Sequence, residues 1–181
     1  MTGAAFAALI DDLDAALDEL TAPVRRDPGL WNRGRPGKWT GGQQVDHLRL
    51  ALTESARDYE ARAGALRAGS LPPVPRRGPL EWLWVALVVG PGRLPRGGRT
   101  AQRFEAGAAP APEATLAGLA EAARRHRTLG ASLTPEERDR LWVPNPFVPR
   151  WRYTFSEILR VHAVHARHHA RQVREIDAAT R

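Results

Sequence analysis

The chain has 181 residues, 43% of them hydrophobic, enough to build a core without covalent staples. It contains no cysteine, which excludes a disulfide framework, a cysteine nucleophile and any cysteine-held zinc or iron–sulfur site. The 27 basic and 20 acidic residues give a net charge of +7, but Lys38 is the single lysine, so the pI near 11.1 reflects heavy arginine usage more than a chosen anion-binding surface.

The N-terminal stretch lacks a basic n-region and carries Asp11, Asp12 and Asp14 where a leader would be apolar. The longest apolar run, Leu80 to Val89, is interrupted by Glu81 and is too short to cross a bilayer. A cytoplasmic protein of one domain, residues 1–181, with no membrane partner is therefore expected.

Phe6, Leu9, Ile10, Leu13, Leu17 and Leu20 recur at three- and four-residue steps and predict a first helix from about Thr2 to Thr21, ended by Pro23. A loop follows, and Thr40 with Gln43 forms a capping box that opens a second helix running toward Gly69. Residues 70–112 are rich in proline. They suggest a short buried helix at about 79–89 and then an irregular crossover through Gly90, Pro91, Gly97, Gly98 and Pro110. A third helix is predicted from Pro112 to Leu129, with Gly130 just past its end. Thr134 and Glu137 cap a short turn. Pro144, Pro146 and Pro149 hold the chain extended, and Thr154 with Glu157 opens a last helix reaching about Ala179. No strand-like alternation competes, so the pattern predicts an all-α four-helix bundle with a long Pro/Gly-rich crossover between helices 2 and 3.

Four of the six histidines, His162, His165, His168 and His169, fall within eight residues of the last helix. At about 100° per residue, His162, His165 and His169 lie within about 60° of one another, inside the apolar stripe, whereas His168 falls on its flank toward solvent. A buried neutral imidazole must satisfy two nitrogens, and an orphaned one costs about 1–3 kcal/mol. A metal ion relieves that cost by accepting a lone pair. The i, i+4 spacing of His165 and His169 lets both rings converge on one ion, while the i, i+3 pair His162 and His165 is an alternative. A third ligand must come from another helix, which leaves His47 or His126, the latter flanked by Arg124, Arg125 and Arg127. Gln43 and Gln172 are possible hydrogen-bond partners of the imidazoles, although a cap explains the first better and an ordinary helix flank the second. Glu54 and Asp58 share the face of His47 but read as solvated.

The segment Lys38-Trp39-Thr40 before Gln44-Val45-Asp46-His47-Leu48, together with His165-Ala166-Arg167-His168-His169-Ala170-Arg171-Gln172, resembles the DinB/YfiT-like superfamily. The resemblance covers nearly the whole chain. It implies an up-down-down-up bundle, often a homodimer, with His47, His165 and His169 holding a divalent ion such as nickel, zinc or iron. It also implies a metal-dependent enzyme acting on a small molecule, of the thiol S-transferase or hydrolase type, in which the ion activates water or a thiol co-substrate. Without a cysteine, that thiol must come from outside the chain. Two other classes stay open: a metal-bound bundle with a structural or sensing role, and nucleic-acid binding through Arg76, Arg77, Arg93, Arg96, Arg99 and Arg103. No helix-turn-helix, zinc finger or aromatic stacking platform accompanies those arginines.

Overall fold

A computed structural model describes residues 1–89 and 101–179. The first helix, α1, spans Gly3–Arg26 and continues through Pro23. The expected stop there is overridden by packing, since Pro23 and Val24 are both buried and the Asp27 N–H closes the last turn on the Pro23 carbonyl. Helix α2, Gly41–Arg67, starts on the predicted capping box: Thr40 accepts from the Gln43 N–H, and Gln43 Oε1 accepts from the Thr40 N–H. It ends beside Gly69, which takes a left-handed φ of 70°.

Helix α3, Pro79–Trp84, leads into a π-helical turn at Val85–Val89. This segment was expected to be buried. Instead its Leu80, Trp82, Leu83 and Leu87 are exposed, and the side chain that turns inward is Glu81, 3% exposed. The reason is an ion network: Arg77 contacts Glu81 at 3.3 Å and Glu157 at 2.6 Å, while Glu81 also accepts the Arg152 backbone N–H at 2.9 Å. The glycine-rich crossover Gly90, Pro91, Gly97 and Gly98 lies outside the described residues.

Helix α4 spans Pro112–Ala131 and passes through Gly130 rather than stopping before it. Gly130 serves close packing, because a Cβ there would meet the Phe6 ring at 2.3 Å and the Phe155 ring at 2.8 Å. Helix α5, Pro135–Arg140, carries the second predicted capping box. Two short strands, β1 at Trp142–Pro144 and β2 at Arg152–Thr154, then pair antiparallel with Val143 opposite Tyr153. The all-helical expectation misses this hairpin, since three residues per strand are too few for a visible alternation. Helix α6, Phe155–Ala179, follows with Glu157 accepting the Thr154 N–H at 2.8 Å.

The four long helices form the up-down-down-up bundle. Helix α1 packs along α6, and α2 packs along α4 and against α6, around Leu13, Leu20, Leu48, Leu52, Tyr59 and Leu159. Arginines lace the seams: Arg167 reaches Asp12 and Glu19, Arg125 reaches Glu60, and Arg127 reaches Asp14. Each such exposed pair contributes little to stability.

Candidate metal centre

The start of α2 is held in place before any histidine is considered. Gly42 lies so close to Trp31 that a Cβ would meet its indole nitrogen at 2.5 Å, and that indole N–H donates to the Pro110 carbonyl at 2.7 Å. This contact and the Thr40 cap fix the first turns of α2, which carry Gln44 and His47. Helix α6 crosses opposite and supplies His165 and His169 one turn apart.

The structure brings His47, His165 and His169 together, with one ring nitrogen of each within 4.8 Å of the others. His47 Nε2 lies 3.2 Å from His165 Nε2, and His169 Nε2 lies 2.9 Å from it. The outer nitrogens are committed elsewhere. His47 Nδ1 donates to the Phe104 carbonyl at 2.6 Å, and His169 Nδ1 donates to Gln44 Oε1. Gln44 is oriented in turn, since its Nε2 donates to Gln172 Oε1 at 3.2 Å. A carbonyl oxygen only accepts, so these partners assign the proton of both rings to Nδ1 and aim two unprotonated Nε2 atoms at His165.

A proton on His165 Nε2 makes at most one well-formed bond to that pair of lone pairs. A divalent ion accepts all three. Ligand nitrogens at about 2.0–2.1 Å in a tetrahedral set stand about 3.3 Å apart, close to the 3.2 and 2.9 Å that separate His165 Nε2 from the other two, so the donor set fits such an ion. Electrostatics agree. Burial lowers the His165 pKa to about 3, with His47 and His168 adding to the effect. Burial also lowers His47, against the opposing pull of the Phe104 carbonyl and Asp46, and holds His169 well below the ordinary value. All three are neutral near pH 7, the state that coordinates a metal.

Trp39 stands over the cluster, its ring 4.9 Å from His47 and 6.2 Å from His169. The cluster opens on a cavity of about 810 Å³ walled by Trp84, Phe104, Phe147, Trp151 and Ile158. Arg35, Lys38 and Arg103 also line it, Arg103 standing 3.7 Å from Asp58.

The remaining histidines do other work. His126 is a core residue: its Nδ1 donates to the Ala122 carbonyl at 2.9 Å and its Nε2 faces Ser55 Oγ at 3.2 Å. His162 packs edge-on against His126, ring centroids 5.3 Å apart, and lines the cavity with neither ring nitrogen hydrogen-bonded. It does not join the cluster. His168, expected to face solvent, is 8% exposed, because its flank of α6 faces the cavity rather than open surface.

Of the two glutamines singled out in the sequence, Gln43 caps α2 and donates to the Gly107 carbonyl at 3.2 Å, so it is no imidazole partner. Gln172 acts through Gln44, which the sequence reading passed over although it sits three residues before His47. Phe104 contributes a backbone carbonyl, and no side-chain pattern announces that. Glu54 pairs with Arg57 at 3.0 Å and does not reach the cluster.

No protein-family model and no curated protein matches the chain. Among solved structures it is similar to YfiT from Bacillus subtilis, described as "a probable metal-dependent hydrolase with an unusual four-helix bundle topology". The two are 22% identical with a TM-score of 0.59, over 99% of this chain and 89% of that one. This chain therefore has the fold of YfiT, a four-helix bundle.

Proposed function

We propose that His47, His165 and His169 hold one divalent ion and that the protein is a metal-dependent enzyme acting on a small molecule in the adjoining cavity. The observation that carries this reading is the convergence of three neutral imidazoles, two with Nδ1 locked to carbonyl oxygens and Nε2 turned inward. When bound, such an ion is a Lewis acid that lowers the pKa of a coordinated water or external thiol. The chain's own residues do the rest. Phe104 and the Gln172–Gln44 relay orient the imidazoles, Trp39 shields one side, and the aromatic cavity walls exclude water from an apolar acceptor.

Three protein ligands with a cavity beside them suit a catalytic site better than a closed structural one, which binds its ion with four. The fold is that of a protein described as "a probable metal-dependent hydrolase". With no cysteine in the chain, transfer to sulfur requires a low-molecular-weight thiol as the second substrate. Nickel, zinc and iron all suit three imidazoles, and donor type alone does not choose among them.

The test is an assay of the protein loaded in turn with zinc, nickel and iron. Ester and amide substrates are supplied with and without a small thiol and an electrophilic acceptor. Turnover that falls at least about a hundredfold in His165→Ala supports the reading, and thiol dependence separates transferase from hydrolase. Turnover unchanged by His165→Ala contradicts it.

A further inference from the structure

The cavity beside the histidine cluster runs along α6, where Ile158, His162 and His165 line it at successive turns. At about 1.5 Å per residue, Ile158 lies about 10 Å along the helix from His165. The end at Ile158 is built from the hairpin, where Val143 pairs with Tyr153, and from Trp84, whose ring stands 6.1 Å from that of Trp151. Its walls are apolar and aromatic.

Tyr153 brings a hydroxyl to this end, and Asn145 sets its direction. Asn145 Oδ1 accepts the N–H groups of Phe147 at 2.8 Å and Val148 at 3.0 Å. The amide nitrogen therefore faces the other way, and Nδ2 donates to the Tyr153 hydroxyl oxygen at 2.8 Å. Pro144 and Pro146 on either side restrict the backbone that carries Asn145. The phenol oxygen is thus an acceptor toward Asn145, and its own proton meets no acceptor among the described residues. Burial raises the Tyr153 pKa, with the nearby Trp84 indole N–H opposing the rise, so the hydroxyl keeps that proton at neutral pH. A buried O–H without an acceptor is costly, and an oxygen of a bound molecule relieves the cost. The charged side chains nearest this end, Arg103 and Asp58, stand 3.7 Å apart and pair with each other. What is left to recognise is neutral.

We propose that Tyr153 is a specificity-determining residue that donates a hydrogen bond to a neutral oxygen acceptor, such as a ketone or amide carbonyl, at the far end of an elongated apolar or aromatic substrate. The reacting end of that substrate lies at the histidine cluster, an assignment that rests on the metal-dependent function proposed for those residues. Tyr153 touches no reacting atom, so its part is selection.

The experiment is isothermal titration of the zinc-loaded full-length protein with two biphenyl hydroxamates. They are identical except for a para-acetyl or a para-ethyl group at the end away from the hydroxamate. The acetyl compound is expected to bind about tenfold or more tightly, and Tyr153→Phe, with helical circular dichroism unchanged, to bring the two affinities within about twofold. The ketone stretch of the bound acetyl compound is expected to fall in frequency in the parent and not in Tyr153→Phe, which a merely structural tyrosine does not produce. Equal affinities in the parent overturn the proposal, as does an acetyl preference that survives Tyr153→Phe, or failure of both compounds to bind. His165→Ala separates the two readings. An acetyl preference of the same size in the parent and in His165→Ala keeps Tyr153 and removes the metal anchor. Equal affinities in the parent that His165→Ala abolishes keep the metal and remove Tyr153.

Discussion

Single side chains decide the chemistry of this molecule, and the two sharpest cases are Gln44 and His162. Gln44 accepts the His169 Nδ1 proton and so turns the lone pair of Nε2 toward the cluster. Gln44→Leu is expected to leave the fold intact and weaken zinc binding about 10–100-fold, measured by isothermal titration; unchanged affinity would remove Gln44 from the site. His162 is buried with both nitrogens unpaired and its pKa held well below the ordinary value by burial. Replacing it with leucine deletes two unsatisfied polar atoms while keeping apolar bulk, so His162→Leu is expected to gain about 1–3 kcal/mol in urea denaturation at unchanged metal content. A loss of stability would show that His162 has a partner. At this scale the i, i+4 spacing of His165 and His169 was legible in the sequence, because helical geometry forces both onto one face. The third position was not legible from spacing. His47 lies about 130° from the leucine stripe of its helix, and only the crossing of α6 over the first turns of α2 brings it inward.

Helix boundaries show a similar division between local and tertiary control. The capping boxes at Thr40 and Thr134 form as written, since Ser/Thr and Glu/Gln three residues apart satisfy free N–H groups without help from elsewhere. Pro23 and Gly130 mislead because their roles are tertiary: the first is buried with Val24, and the second admits two phenyl rings. Gly130→Ala is therefore expected to destabilise by about 1–3 kcal/mol, although alanine is the better helix former, with the loss read as a lower Tm. An unchanged or raised Tm would mean that Phe6 and Phe155 yield freely. The outward turn of α3 escaped the sequence because its cause, the Arg77–Glu81–Glu157 network, joins residues 80 positions apart. Arg77→Met leaves buried Glu81 without its cation and Glu157 with Arg152 alone at 3.6 Å, and is expected to cost about 3 kcal/mol in urea denaturation, whereas a neutral effect would make that network incidental.

For the molecule as a whole, buried histidines couple stability to pH. Burial lowers His126 from 6.5 to about 4 and pushes His162 down as well. Above pH 6.5 these rings are neutral in both folded and unfolded chains, and their contribution is complete. Between pH 6.5 and about 4 the unfolded chain takes the proton and the folded one does not, so stability falls. His126 alone accounts for about 3 kcal/mol of that loss. Urea denaturation with a chelator present is expected to show a plateau above pH 7 and a decline through pH 5; a flat profile to pH 5 would contradict the assignment of His126 as a neutral core residue. The bundle and its histidine helix could be read from periodicity, while the cavity could not, because its walls come from α2, α3, the hairpin and α6 together. The three-histidine ion site is tested by metal analysis after incubation with zinc or nickel and dialysis. One ion per chain is predicted for the parent and for His126→Ala, and little or none for His47→Ala, His165→Ala and His169→Ala. A full complement of metal in the His47 variant, or none in the parent, would contradict it.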